Sequence, residues 1–359
     1  MNENKINVGG QAVLEGVMMR SPNSFAVVVR RADGSMVVRE EPWRSLSGKH
    51  KPLRWPFVRG MIVLFESLFN GISALTFSAE QASLDIDAGE NEKKKKEAAA
   101  AGKDETDIEP PESKPLPKSA IFLTMLVSLA FAVALFKFLP HLITVGLSKL
   151  LDVDIPINGA AFHIIDGALK ITIFFAYIWG VSRMNEMRRV FSYHGAEHKS
   201  IACYEKGLPL TVENARAQSR FHPRCGTSFI IIVLLVSIMV FALFFRMLPP
   251  LSDNKTINVV LQMFVKLPLM LPIAGLAYEF IKLAGRENAP FFARWLSAPG
   301  LWSQRLTTAE PDDSMLEVAL VSLKISLLRE REISGNAQAA LPDARHVRTI
   351  KSLDEVVTL

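Results

Sequence analysis

Cysteine is almost missing from this chain of 359 residues, which has only Cys203 and Cys225. Two cysteines give no disulfide framework, so the small stapled secreted scaffolds are excluded. Charge is scarce as well. Asp, Glu, Lys and Arg make up 21% of the sequence against 49% hydrophobic residues, and mean hydropathy is +0.22. That balance excludes a disordered chain and an ordinary all-soluble enzyme. The opening stretch, Met1 to Arg20, lacks an apolar run, so no secretory signal is expected there. The glycines of Gly9 to Arg20 match neither a Walker nor a dinucleotide phosphate loop, since no Lys-Ser/Thr follows them. They are expected at tight turns and close backbone contacts, with Glu15 a minor site candidate. The pI near 9.1 comes without an RNA- or DNA-binding motif, so nucleic acid is not an expected partner.

What the sequence does have is long apolar blocks. A bilayer core of about 30 Å needs roughly 20 apolar helical residues. Ser119 to Leu139, Gly159 to Val181 and Thr227 to Leu248 meet that length. Ile257 to Ala284 also meets it, although Lys266, Pro268, Pro272 and Glu279 interrupt it. Phe57 to Phe77 carries Arg59, Glu66 and Asn70 and is read as an interfacial or re-entrant helix.

Basic residues set the expected orientation. The segment Arg183 to Arg224 holds eight Lys and Arg, whereas Pro140 to Asn158 and Pro249 to Thr256 hold one each, Lys149 and Lys255. The first is expected in the cytoplasm and the other two outside. Four spans with both termini inside satisfy this count.

The expected fold class is therefore mainly α: a polytopic helical bundle of about four spans, with a small cytoplasmic β unit and an interfacial helix. Residues 1–56 are the β unit, in which Ser24 to Arg31 and Ser35 to Glu40 flank Asp33-Gly34, a type I′ hairpin signal. Residues 57–82 are the interfacial helix, and 83–118 a disordered charged linker with four successive lysines. Residues 119–284 are the membrane domain, which includes the His/Cys segment 183–226. Residues 285–332 combine an irregular basic–aromatic stretch to Pro311 with an amphipathic helix bearing Leu316, Ala319, Leu320, Leu323 and Leu327 on one stripe. Residues 333–359 are expected to be a mobile tail.

Chemistry concentrates in one place. Of the nine histidines and cysteines in the chain, five fall between residues 194 and 225: His194, His198, Cys203, His222 and Cys225. His194 and His198 stand at i, i+4 and share a helix face, close enough to hold one ion. Glu197 completes an H-x-x-E-H order, in which the glutamate acts as base toward a water that the metal makes acidic. His222-x-x-Cys225 offers two more donors. Three readings stay open. The site is catalytic, with a divalent metal such as zinc on His194 and His198, a further ligand from His222 or Glu279, and Glu197 as base. It is a structural tetrahedral site closed by His194, His198, His222 and Cys225. Or no metal binds, and the side chains form hydrogen bonds at the bilayer surface.

Other groups are candidates with plainer explanations beside them. Glu279, near the end of the last span, is a metal ligand or an ion-pair partner of Lys282. Arg216, Arg220 and Arg224 hold an anionic group or only reflect topology. His163, Asp166 and Lys170 share one helix face and relay protons, bind a headgroup, or reduce to a self-neutralising Asp166–Lys170 pair.

The stretches Gly9 to Arg20, Tyr193 to Lys199, Glu213 to Arg216, His222 to Phe229, Tyr278-Glu279 and Leu306 to Asp313 resemble a bacterial family of YqhQ-like membrane proteins. The resemblance covers roughly residues 5–330, and the combination of stretches is specific. It implies a multi-span membrane protein with a metal site at His194, Glu197 and His198, labelled in the family as an uncharacterised or predicted metal-dependent enzyme. It implies no substrate. The expectation is a metal-dependent, hydrolase-type enzyme at the cytoplasmic face, acting on a membrane lipid or membrane protein. The alternative is a non-enzymatic transporter or scaffold with a structural His/Cys site. The oligomeric state is left open.

Overall fold

In a computed structural model, residues 5–43, 45–46, 51–100, 118–153, 155–156, 159–285, 289–335 and 346–356 are described. The valine-rich N-terminal stretches form strands: β1 (Gly9–Val13), β2 (Gly16–Arg20), β3 (Ser24–Arg30) and β4 (Met36–Pro42). Each pairs antiparallel with the next. Alternate side chains point to opposite faces. Val17, Met19, Ala26, Val28, Met36 and Val38 enter one core, and Met18, Phe25, Val27, Val29 and Val37 another. Burial on both faces explains why the strands read as unbroken valine runs.

The Asp33-Gly34 turn is a hairpin, but not the expected type I′. Gly34 alone in that turn has positive φ, at +86°. Its N–H donates to the Arg31 carbonyl at 3.0 Å, while the Arg31 N–H donates to Ser35 at 2.8 Å. This is a three-residue loop, a type I turn closed by a left-handed glycine. Asp33 Oδ1 accepts from the Ser35 N–H at 2.9 Å and stabilises it.

The tail is also different from expectation. Residues 346–350 form a fifth strand, β5 (His346–Ile350), paired antiparallel with β4. Ile350 and Val356 are buried in the first core. Without β5, strand β4 would present an open row of backbone groups. Residues 336–345 and 357–359 of the expected mobile tail lie outside the described residues.

The helices are α1 (Val58–Ala100), α2 (Lys118–Val133), α3 (Leu139–Leu150), α4 (Ala160–Val181), α5 (Asn185–Glu205), the short α6 (Val212–Arg216), α7 (Gly226–Met247), α8 (Lys255–Ala284), α9 (Phe291–Thr307) and α10 (Asp313–Gly335). A π-helical turn, Ala134–Phe138, joins α2 to α3. The expected outer loop from Pro140 is thus helical as far as Leu150. The chain is mainly helical, and among the described residues five helices are long and apolar enough to cross a membrane: Val58–Lys93, Phe122–Leu150, Ala160–Val181, Gly226–Met247 and Ile257–Ala284.

Two corrections concern segments expected to be separate. Phe57–Phe77 is mostly the first part of the 43-residue α1, which runs on through residues 83–100 of the expected linker. The rest, 101–117, lies outside the described residues. The basic–aromatic stretch is not irregular, because α9 occupies most of it and sets Ala293, Ser297 and Gln304 inward and Phe291, Trp295 and Trp302 outward.

Nor is 1–56 a unit by itself. Leu316, Ala319, Leu320, Leu323 and Leu327 of α10 cover one sheet face together with Tyr193, Ala196 and Ile201 of α5. Ala74 and Phe77 of α1 cover the other. A sheet buried on both faces needs these distant helices, and the packing fixes α5 against β1.

Candidate metal centre

Helix α5 places His194, Glu197 and His198 on the side facing the turn before α7 and the exit of α9. Gly195 makes this approach feasible. A Cβ there would lie 2.2 Å from the Ala309 carbonyl oxygen, and the Ala309 N–H donates to the Phe191 carbonyl at 2.8 Å.

Both histidines are oriented by main-chain carbonyls. His194 Nδ1 lies 2.8 Å from the Thr307 carbonyl and His198 Nδ1 2.6 Å from that of Arg220. A carbonyl only accepts, so each Nδ1 carries the proton and each Nε2 keeps its lone pair. The rings stand 4.4 Å apart between centroids. His194 Nε2 is 3.2 Å from Cys225 Sγ, and one donor atom from each of His194, His198 and Cys225 lies within 4.8 Å of the others. Cys225 caps α7 and also meets Thr227 Oγ1 at 3.2 Å. Orientation of metal-binding imidazoles by such carbonyl bonds is the usual device for presenting the other nitrogen to an ion.

Glu197 stands beside this trio. Its Oε2 is 3.9 Å from His194 Nε2. The carboxyl is buried under β1, where burial pushes its pKa up while His194, His222 and the Gly10 N–H pull it down. Desolvation likewise pushes His198 and His222 down, which keeps both imidazoles in the neutral form that binds metal.

His222 is near but turned away. Its ring lies 5.7 Å from that of His198. Its Nε2 donates to Glu205 Oε2 at 3.2 Å, and Nδ1 accepts from the Arg224 N–H at 3.4 Å. Gln304 of α9 holds the backbone, accepting the His222 N–H at 2.8 Å and donating to its carbonyl at 2.7 Å.

The remaining candidates go elsewhere. Glu279 is gripped by Arg59 of α1, with Nε to Oε1 at 2.6 Å, so neither the histidines nor Lys282 is its main partner. The three arginines do not converge on an anion. Arg216 pairs with Asp313, Arg220 with the Thr308 carbonyl and Glu310, and Arg224 with Glu205. Asp166 and Lys170 form the expected i, i+4 pair on α4, and His163 shares their buried face, well away from the histidine segment.

Sequence reasoning missed Gly10, Gln304, Thr307 and Thr308 as parts of the site. The only signal was their place within or next to the stretches that carry the family resemblance, since backbone acceptors leave no residue-type signature.

The family described as "Protein of unknown function (DUF1385)" matches residues 55–329, which include every group of this centre except Gly10. The chain belongs to the DUF1385 family. A curated relative, "Uncharacterized protein YqhQ" of Bacillus subtilis (strain 168), is 34% identical over 335 residues, 92% of this chain and 95% of the relative. No solved structure matches the chain. DUF1385 membership thus agrees with the YqhQ-like resemblance and brings no assigned activity with it.

Proposed function

We propose that this DUF1385 chain is an integral membrane enzyme that depends on a divalent metal and is hydrolytic in type. The observation that carries the reading is the pair of Nδ1–H bonds to the Thr307 and Arg220 carbonyls, which turn both Nε2 atoms toward Cys225 Sγ. Two imidazoles and a thiol suit zinc far better than magnesium or calcium. Three protein ligands leave a tetrahedral ion one free position, the pattern of catalytic sites. A divalent ion held by His194, His198 and Cys225 would supply Lewis acidity toward water and toward a carbonyl or phosphoryl oxygen. Glu197 lies beside the trio and outside it, as a general base should, and burial raises its pKa, which strengthens it as a base.

The membrane arrangement we propose has four spans, both termini inside, in a bacterial inner membrane. Helix α1 supports four rather than five. Its Glu66 accepts from Ser45 Oγ and the Leu46 N–H, and its Ala74 and Phe77 pack on the sheet. Only residues 58–65 precede those contacts, about 12 Å of helix against a core of about 30 Å. The exposed Phe65, Leu68 and Phe69 suit an interfacial helix. A site at the junction of bundle and sheet makes a membrane lipid or membrane protein the natural substrate. Metal analysis of the purified protein, with the Glu197→Gln variant assayed for complementation, tests the reading. Protein that never retains a transition metal would refute it.

One observation favours a second reading. The His222 ring is close enough to His198 for a rotation to bring its nitrogen to the ion. That would close a structural site in a non-enzymatic transporter or scaffold.

A further inference from the structure

We infer that the span bundle holds a second, separate site that binds an oxyanion between Lys137, Lys170 and Lys266. Asp166 lies at its centre. Lys170 pairs with one of its oxygens, and Lys266 Nζ stands 3.9 Å from the same Oδ2. Lys137, on the π-helical turn, reaches over the Phe241 ring at 5.1 Å, the ring that Lys266 overlies from 5.5 Å. Helical π turns recur where a side chain is re-aimed for function.

Charge counting identifies what is missing. Three lysines face one carboxylate here, which leaves up to two positive charges without a counterion. Among the described residues of α2, α3, α4, α7 and α8, the other acid is Glu279, and Arg59 already neutralises it. Uncompensated charge in a dry interior is costly. Neutral lysine would remove the cost, but Lys266 Nζ lies over the faces of Phe162, Phe241 and Phe245 at 5.7, 5.5 and 5.4 Å. Three aromatic faces favour the ammonium form.

Unsatisfied atoms give the ligand's chemistry. Lys266 is 1% exposed and its Nζ has no hydrogen-bond partner. Both ring nitrogens of the equally buried His163 lack one, as do His141 Nε2 and Asp166 Oδ1. A ligand with acceptor oxygens would satisfy Lys266, and a hydroxyl on the same ligand would satisfy Asp166 Oδ1. A phosphate-type oxyanion carrying a hydroxyl has both, whether free or as a lipid headgroup. This site is distinct from the His/Cys centre. Asp166 lies about 22 Å along α4 from Val181, at the 1.5 Å helical rise per residue, before α5 begins.

The test uses full-length protein in dodecyl maltoside and follows unfolding by tryptophan fluorescence. One arm adds millimolar phosphate against chloride at matched ionic strength. The other adds phosphatidylglycerol against phosphatidylcholine. At least one arm should raise Tm saturably by about 2 °C or more. Lys266→Met should abolish the rise and Lys137→Gln should reduce it. A response to phosphate alone assigns a free oxyanion, to phosphatidylglycerol alone a headgroup, and to both the shared chemistry. No response in wild type overturns the proposal. So does a rise that persists undiminished in Lys137→Gln, whose partly exposed position keeps the test valid if Lys266→Met does not fold.

Discussion

Gly10 lies directly against Glu197: a Cβ added at Gly10 would stand 2.7 Å from Cγ and 2.8 Å from Oε1 of that carboxylate. Strand β1 therefore sets where the acid can sit, and residue 10 has no room for even a methyl group.

Gly10→Ala should push Glu197 off its position beside His194 while leaving His194, His198 and Cys225 in place. We expect metal content near wild type, complementation strongly impaired and stability lowered by about 1–3 kcal/mol. Metal analysis and a growth assay on one preparation separate these effects. Full complementation by Gly10→Ala would show that the carboxylate's position does not matter.

The ligand set is tested by four variants. His194→Ala, His198→Ala and Cys225→Ala should each lower copurifying zinc severalfold or more, while His222→Ala should keep it. Loss of metal in His222→Ala would favour the closed structural site.

Glu197→Gln preserves shape and removes basicity. It should retain zinc and lose about 10²–10⁴-fold in activity, visible as failed complementation. A variant that complements like wild type removes Glu197 from the chemistry.

Topology is open to cysteine labelling. Single cysteines at Lys149 and Lys255 should react from outside, and those at Lys103, Lys206 and Arg305 only from inside. Outside labelling at Lys103 would make α1 a fifth span.

Ile350 belongs to the core despite lying near the chain's end. Ile350→Ala should cost about 2–4 kcal/mol, seen as a lower Tm. An unchanged Tm would mean that β5 contributes nothing to the sheet.

The sequence made the helices and the His/Cys segment readable for direct reasons. Apolar blocks of bilayer length leave little choice of structure, and the i, i+4 histidines need only one helix to share a face. The stripe from Leu316 to Leu327 was legible in the same way. Long-range pairing was not. Nothing in His346–Ile350 names β4 as its partner, and nothing in Arg59 names Glu279, because such choices depend on where the chain returns in space. The arginines at 216, 220 and 224 look like an anion site in one dimension, yet each pairs with its own carboxylate, Asp313, Glu310 and Glu205. Cys225 was one donor among several in the sequence, and geometry brought it and not His222 to the two imidazoles.

The return of β5 to β4 has a consequence for biosynthesis. The ribosome makes β1–β4 first, and every long apolar helix must follow before α10 and β5 exist. The core that joins Val28, Tyr193, Leu320 and Ile350 can then close only after the helical bundle has been made. Until that moment the N-terminal strands have one face and one edge uncovered, so a chain stalled or wrongly threaded during translation displays an unprotected valine-rich sheet. Completion of the helical part of the chain and burial of that sheet are therefore coupled.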